Sequence, residues 1–156
     1  MPLQLFTRHV PRDWVDYNGH MNDAAYALVF SHGVDALMDH IGLDEAGRAA
    51  HGYTLFTLET HLCYLQQVHE DARVTCDVVL LASDAKRLHL FFTLRDEAET
   101  LLSTSEQMLM GVGIKSERAQ AFPDKVNEHL LHLPTLEAAH WPEQAGRRIG
   151  IRRRSS

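Results

Sequence analysis

The sequence predicts an α+β fold in which an antiparallel sheet curls around one long central helix. Three observations carry that expectation. A single long apolar segment with helical spacing, residues 24–41, comes early in the chain. After it, between Tyr53 and Gly113, the apolar periodicity changes from helical to two. The breaks between those later segments are mostly short and polar, so consecutive strands should return as an antiparallel meander. A chain of 156 residues is most simply one domain with a proper hydrophobic core, here 1–133, followed by an extension, 134–156.

The elements follow in order. Leu3, Leu5 and Thr7 alternate with Gln4, Phe6 and Arg8 as a short opening strand, which Pro11 ends. Residues 12–19 read as loop, and Asn22 or Asp23 can cap the helix behind them. In that helix Tyr26, Phe30, Val34, Leu37 and Ile41 recur at three- and four-residue spacing. Ala25, Leu28, Val29 and Met38 widen the apolar face, so other structure should wrap the helix. Gly42 stands where a left-handed C-terminal cap is wanted. A polar segment with Gly47 and Gly52 leads into strands over 53–65, 73–82, 86–95 and 101–113. The third alternates most cleanly, with Leu88, Leu90, Phe92 and Leu94 on one side. Residues 123–133 suit a short helix. The tail then gathers Arg147, Arg148, Arg152, Arg153 and Arg154, read either as a solvated mobile end or as a contact for an anionic ligand.

Composition excludes several classes. A net charge of −6 argues against a general nucleic-acid binder. No run of about 18 apolar residues offers a membrane span, and Met1 to Gln4 has no basic segment before an apolar one. The expected compartment is cytoplasmic. The 11 histidines raise the question of a metal, but the closest spacing, His129 to His132, is too short for a helical ligand pair and has no carboxylate between. No metal is expected.

The chemistry concentrates at Asp16-Tyr17-Asn18-Gly19-His20-Met21-Asn22, just before the long helix. A carboxylate, an amide and an imidazole at alternate positions meet a helix N-terminus, whose backbone N–H groups favour a developing oxyanion. The same residues also suit an Asx-type turn and a helix cap, and spacing alone leaves the two readings open. Gly19 permits a positive φ or a close backbone approach in either case.

Asp16-x-Asn18-x-His20-x-Asn22, with Tyr26 one turn into the helix, resembles the motif of hotdog-fold thioesterases. The similarity is best to the branch that includes plant acyl-carrier-protein thioesterases, where a Glu from the following strand joins the run; Glu59 of Thr57-Leu58-Glu59-Thr60-His61 is its counterpart. Bacterial 4-hydroxybenzoyl-CoA-type enzymes carry their nucleophilic carboxylate where this chain has Asn18, so their arrangement does not transfer. The resemblance implies an acyl-CoA thioesterase in which Asp16 or Glu59 is nucleophile or base, Asn18 orients, and His20 positions groups or shuttles a proton. The backbone of Gly19, Met21 and Asn22 would hold the oxyanion. Glu59 shares a strand face with Tyr53, Leu55 and Thr57 on simple alternation, which favours a pocket. Lys86 and Arg87 resemble the position where relatives contact coenzyme A phosphates, against a plain surface charge pair. The stretches 14–39 and 84–90 look most like thioesterases of carnitine catabolism, which act on betainyl-CoA, and another small- or medium-chain acyl-CoA is the alternative substrate. An aromatic cage for a trimethylammonium group would then draw on Trp14, Tyr17, Tyr26, Tyr53 and Phe56. The family needs no cofactor beyond the coenzyme A of its substrate, and its members form homodimers or homotetramers. An acyl-CoA hydratase or dehydratase on the same fold fits less well, because its motif has proline after the asparagine. A non-catalytic acyl-CoA-binding protein is the reading outside enzymes.

Overall fold

The computed structural model describes residues 1–153, so Arg154 lies outside the described residues. Five strands, β1 (Leu3–His9), β2 (Tyr53–Tyr64), β3 (Arg73–Ser83), β4 (Arg87–Arg95) and β5 (Leu101–Gly113), form one antiparallel sheet. With it come α1 (Asp23–His40), α2 (Glu45–His51) and α3 (Asp124–Leu130). The described structure has the wrapped-helix layout expected from periodicity.

Helix α1 starts and stops where side-chain chemistry dictates. The Asn22 side chain accepts a hydrogen bond from the Ala25 N–H at 2.9 Å, satisfying one of the helix's unpaired donors. At the other end Gly42 takes φ +84° and the Leu43 N–H returns to the Met38 carbonyl at 2.8 Å, a Schellman-type stop. Ala25, Tyr26, Val29, Phe30, Gly33, Leu37 and Met38 are buried. They meet the inner face of the sheet, where Val74, Cys76, Val78, Leu80, Leu88, Leu90, Phe92 and Leu94 alternate inward. Gly33 marks the closest approach: a β-carbon there would sit 3.1 Å from the Cys76 sulfur and 3.3 Å from the Phe92 ring. The opposite face of α1, with Ala27, Ser31, Asp35 and Asp39, stays exposed.

Three features depart from the sequence expectation. The strand order is β1-β3-β4-β5-β2, so only β3, β4 and β5 form a meander. β2 crosses to the far edge and pairs with β5, because the segment 65–72 carries the chain across the sheet rather than turning it tightly. Helix α2 occupies part of the segment read as polar loop. It has no buried residue to create a periodic signal, and it is held by the Asp44 side chain on the Gly47 N–H at 2.7 Å and by Gly52 at φ +57°. The C-terminal extension is not simply solvated: residues 134–147 lie across the outer face of the sheet. Leu136, Trp141 and Ala145 cover a second small core of Val79, Leu81 and Phe91. Hydrogen bonds from Leu80 N to Pro134 O (2.8 Å) and from Leu136 N to Leu80 O (3.1 Å) stitch this strap to β3. Arg148, Arg152 and Arg153 are exposed.

Candidate active site

The corner before α1 is a tightly braced loop. Val15 and Met21 bridge across it, the Asp16 N–H donates to the His20 carbonyl at 2.8 Å, and the Gly19 N–H donates to the Asp16 carbonyl at 2.9 Å. Asp16 Oδ1 accepts from the backbone N–H of Asn18 (2.8 Å) and of His20 (3.3 Å). Asp16 therefore closes an Asx-type turn, the second of the two readings of the motif, and its side chain remains exposed. Gly19 takes φ +77° with open space around it, so the left-handed backbone is what requires glycine there.

The backbone donors differ from expectation. The N–H groups of Gly19, Met21 and Asn22 are all engaged, the last two on the Val68 carbonyl (2.7 Å) and the Trp14 carbonyl (2.9 Å). They brace the loop and are not free to receive an oxyanion. No hydrogen bond engages the Asp23 N–H, the first of α1, among the described residues. His20 sits beside His69 of the 65–72 crossing: their backbones form an isolated bridge, and their rings meet edge to face at 4.8 Å between centroids.

The expected aromatic cage is dispersed. Trp14 is buried, and the Arg8 guanidinium already lies 4.4 Å from its ring centre. Tyr17 is 96% exposed. Tyr26 is buried with its hydroxyl on the Gln66 carbonyl at 2.9 Å; burial, then the neighbouring Tyr64, pushes its pKa up. Tyr53 is a core residue whose hydroxyl donates to the Gln120 carbonyl at 2.9 Å, and burial pushes its pKa up to about 12. Phe56 is exposed on the edge strand. These five do not surround one cavity within the chain.

Glu59 is also displaced from its expected face. A register shift between Thr57 and Glu59 breaks the alternation of β2. Thr57 and Thr60 line the groove toward α1, whereas Glu59 faces an outer cavity of about 340 Å³ with His61, His89, Glu106 and Arg147. Among the described residues Asp16 does not line the cavity that Glu59 faces. Arg87 is held by Asp84, with contacts of 2.7 and 2.6 Å to one carboxylate oxygen. That side-chain bond, with backbone donation from Lys86, lowers the Asp84 pKa to about 2. The neighbouring Lys86 is exposed.

Two clusters escaped the sequence reading. A groove of about 740 Å³ runs between the exposed face of α1 and β2. Phe30, Val34, Met38 and Leu55 give it apolar walls, and Asp35, Asp39 and Glu45 outnumber Arg48 as its charged lining. Asp35 and Asp39, one helical turn apart on an otherwise apolar helix, were the available signal. On the outer face His89 Nε2 lies 2.7 Å from Glu106, both largely buried, and the Glu106 carboxylate also receives the Gly146 N–H of the strap. The Arg147 guanidinium donates to Cys63 Sγ at 3.2 Å. Cross-strand neighbours of this kind depend on register, which periodicity does not encode.

The family model of the thioesterase-like superfamily matches residues 10–130. The chain belongs to this superfamily. Across nearly its whole length it is similar to the betainyl-CoA thioesterase of Pseudomonas aeruginosa, with 46% identity over 154 residues, covering 96% of this chain and 95% of that protein. It is 42% identical over 151 residues to the L-carnitine dehydrogenase/betainyl-CoA thioesterase of Agrobacterium fabrum, covering 97% of this chain and 31% of that longer protein. A solved Staphylococcus aureus protein in complex with CoA shares the fold with a TM-score of 0.87 and 37% identity, over 97% of this chain and 98% of that one. As a member of the superfamily the chain is a thioester hydrolase, and its sheet and long helix are the hotdog arrangement its motif implied. Among the described residues no helix is long and apolar enough to cross a membrane.

Proposed function

We propose that this member of the thioesterase-like superfamily hydrolyses betainyl-CoA to betaine and coenzyme A. The observation that carries the substrate is the 46% identity, end to end, with a protein of that activity.

Asp16 is the carboxylate of the reaction, acting as base toward the water that attacks the thioester carbonyl, or as nucleophile forming a mixed anhydride that water then hydrolyses; in either case the carbon–sulfur bond breaks and coenzyme A leaves as a thiolate that takes up a proton. The oxyanion sits at the N-terminus of α1, where the Asp23 N–H and the helix dipole stabilise it. His20 handles the proton, and Asn18, exposed on the same turn, orients the attacked group. Lys86 and Arg87 contact the coenzyme A phosphates, with Arg87 partly released from Asp84 as it does so.

The functional unit is a homodimer. β2 is an edge strand with one side unpaired, and it exposes Phe56 and Leu58. Such an edge invites antiparallel addition of a second copy. A thioester panel of betainyl-CoA, acetyl-CoA, a medium-chain acyl-CoA and an aromatic acyl-CoA tests the assignment by thiol release. Betainyl-CoA should have the highest kcat/KM; equal or better turnover of an uncharged thioester would overturn the substrate, and light scattering at the monomer mass would overturn the dimer.

A further inference from the structure

Asp16 is the residue that sequence order offers as the partner of His20, but the geometry gives it another task. Its Oδ1 is occupied by the backbone N–H groups of Asn18 and His20, and among the described residues no hydrogen bond or ion pair joins its carboxylate to the His20 ring. No side-chain hydrogen bond to either ring nitrogen of His20 is present among the described residues. The group that meets the ring is the imidazole of His69, at 4.8 Å between centroids and 64° between planes.

The backbones of both histidines are fixed. His20 is held by Asp16 on one side and by the bridge to His69 on the other. The neighbouring Met21 N–H donates to the Val68 carbonyl at 2.7 Å. The 65–72 crossing that delivers His69 is pinned in turn: the Asp71 N–H donates to the Val10 carbonyl at 2.8 Å, the Val10 N–H to the Ala72 carbonyl at 2.9 Å, and the Ala72 N–H to the His69 carbonyl at 3.2 Å. With both main chains immobile, the remaining freedom of His20 is rotation of its ring, and an edge-to-face neighbour restricts that rotation.

We propose that His69 is a positioning residue for His20, setting the orientation of the imidazole at the thioester site through ring contact rather than through a hydrogen-bonded carboxylate. The inference rests on the role given to His20 above. It explains why the 65–72 crossing is stitched so closely to the loop before α1: the crossing carries the second ring into the site. A mis-set imidazole binds substrate normally but transfers its proton poorly, so the defect belongs in kcat.

The test uses the full chain with His69→Ala and His69→Phe, measured by steady-state turnover and by NMR of the His20 ring protons. His69→Ala should lower kcat about tenfold with KM within about twofold. His69→Phe, which restores a ring edge without a ring nitrogen, should recover most of that loss. The His20 ring should hold one orientation in the wild type and in His69→Phe, seen as proton contacts to the ring at position 69, and should average over rotamers in His69→Ala. An unchanged kcat and ring orientation in His69→Ala, or a His69→Phe variant as impaired as His69→Ala, would overturn the proposal. The two readings fail separately: absence of thioester turnover by the wild type refutes the proposed function, whereas the ring-orientation comparison judges His69 without any turnover.

Discussion

Asp16 serves both as the brace of its own turn and as the proposed reactive carboxylate, and an Asn substitution separates the two. Asp16 Oδ1 accepts two backbone hydrogen bonds, at 2.8 and 3.3 Å. An amide oxygen at the same position accepts both, losing only the charge assistance. Alanine accepts neither and costs about 1–2 kcal/mol at about 0.5–1 kcal/mol for each exposed bond. The loop does not collapse in either variant, because the backbone bonds from Asp16, Gly19, Met21 and Asn22 persist. For a chain of this size the alanine cost corresponds to a fall in Tm of about 2–8 °C, and the asparagine variant should stay within about 2 °C of the wild type. Activity should respond in the opposite pattern. Without an ionisable carboxylate, Asp16→Asn should lose about 10²–10⁴-fold in kcat, as much as Asp16→Ala. Thiol release under saturating thioester, with thermal unfolding of the same preparations, reads both quantities. An Asp16→Asn variant that keeps kcat within about threefold would show that Asp16 is only a turn brace and that the reactive carboxylate lies elsewhere.

Three further outcomes follow from the geometry. Glu59→Gln should leave kcat within about threefold of the wild type, because Glu59 opens to the outer cavity with His61, His89 and Arg147, which neither Asp16 nor His20 lines; a loss as large as that of Asp16→Asn would return Glu59 to the reaction. Tyr53→Phe should lower Tm by about 2–4 °C, the equivalent of about 1 kcal/mol for the lost bond to Gln120, with kcat/KM unchanged; altered substrate selectivity would contradict its place in the core. The Asp84 carboxyl, read by NMR, should titrate at about 2 instead of the ordinary 3.8, and Arg87→Ala should move it back toward that value. Because the folded value is depressed, the stability from this pairing is present above the ordinary carboxylate range and is lost as pH falls toward the folded value.

The sequence by itself determined the long helix and the strands, and it put forward one corner for the chemistry. Apolar residues recurring at three and four placed α1, alternation placed the strands, and Asn22 and Gly42 marked the helix ends, because each of these signals reports a local choice of backbone and burial. The motif from Asp16 to Asn22 was legible for the same reason: its residues are neighbours in the chain, and they fold as one braced loop. Tertiary structure decided what those residues face. One register shift in β2 carried Glu59 to the other side of the sheet, an outcome that alternation cannot anticipate. The crossing of residues 65–72 took the Met21 N–H away from any oxyanion and brought His69 to His20. The burial of Trp14, Tyr26 and Tyr53 took three candidates for an expected cage into the core, and the C-terminal strap, residues 134–147, covered Val79, Leu81 and Phe91 while Arg148, Arg152 and Arg153 stayed exposed. Each of these depends on contacts between residues far apart in the chain, whose pairing is fixed by packing and strand register rather than by any local pattern.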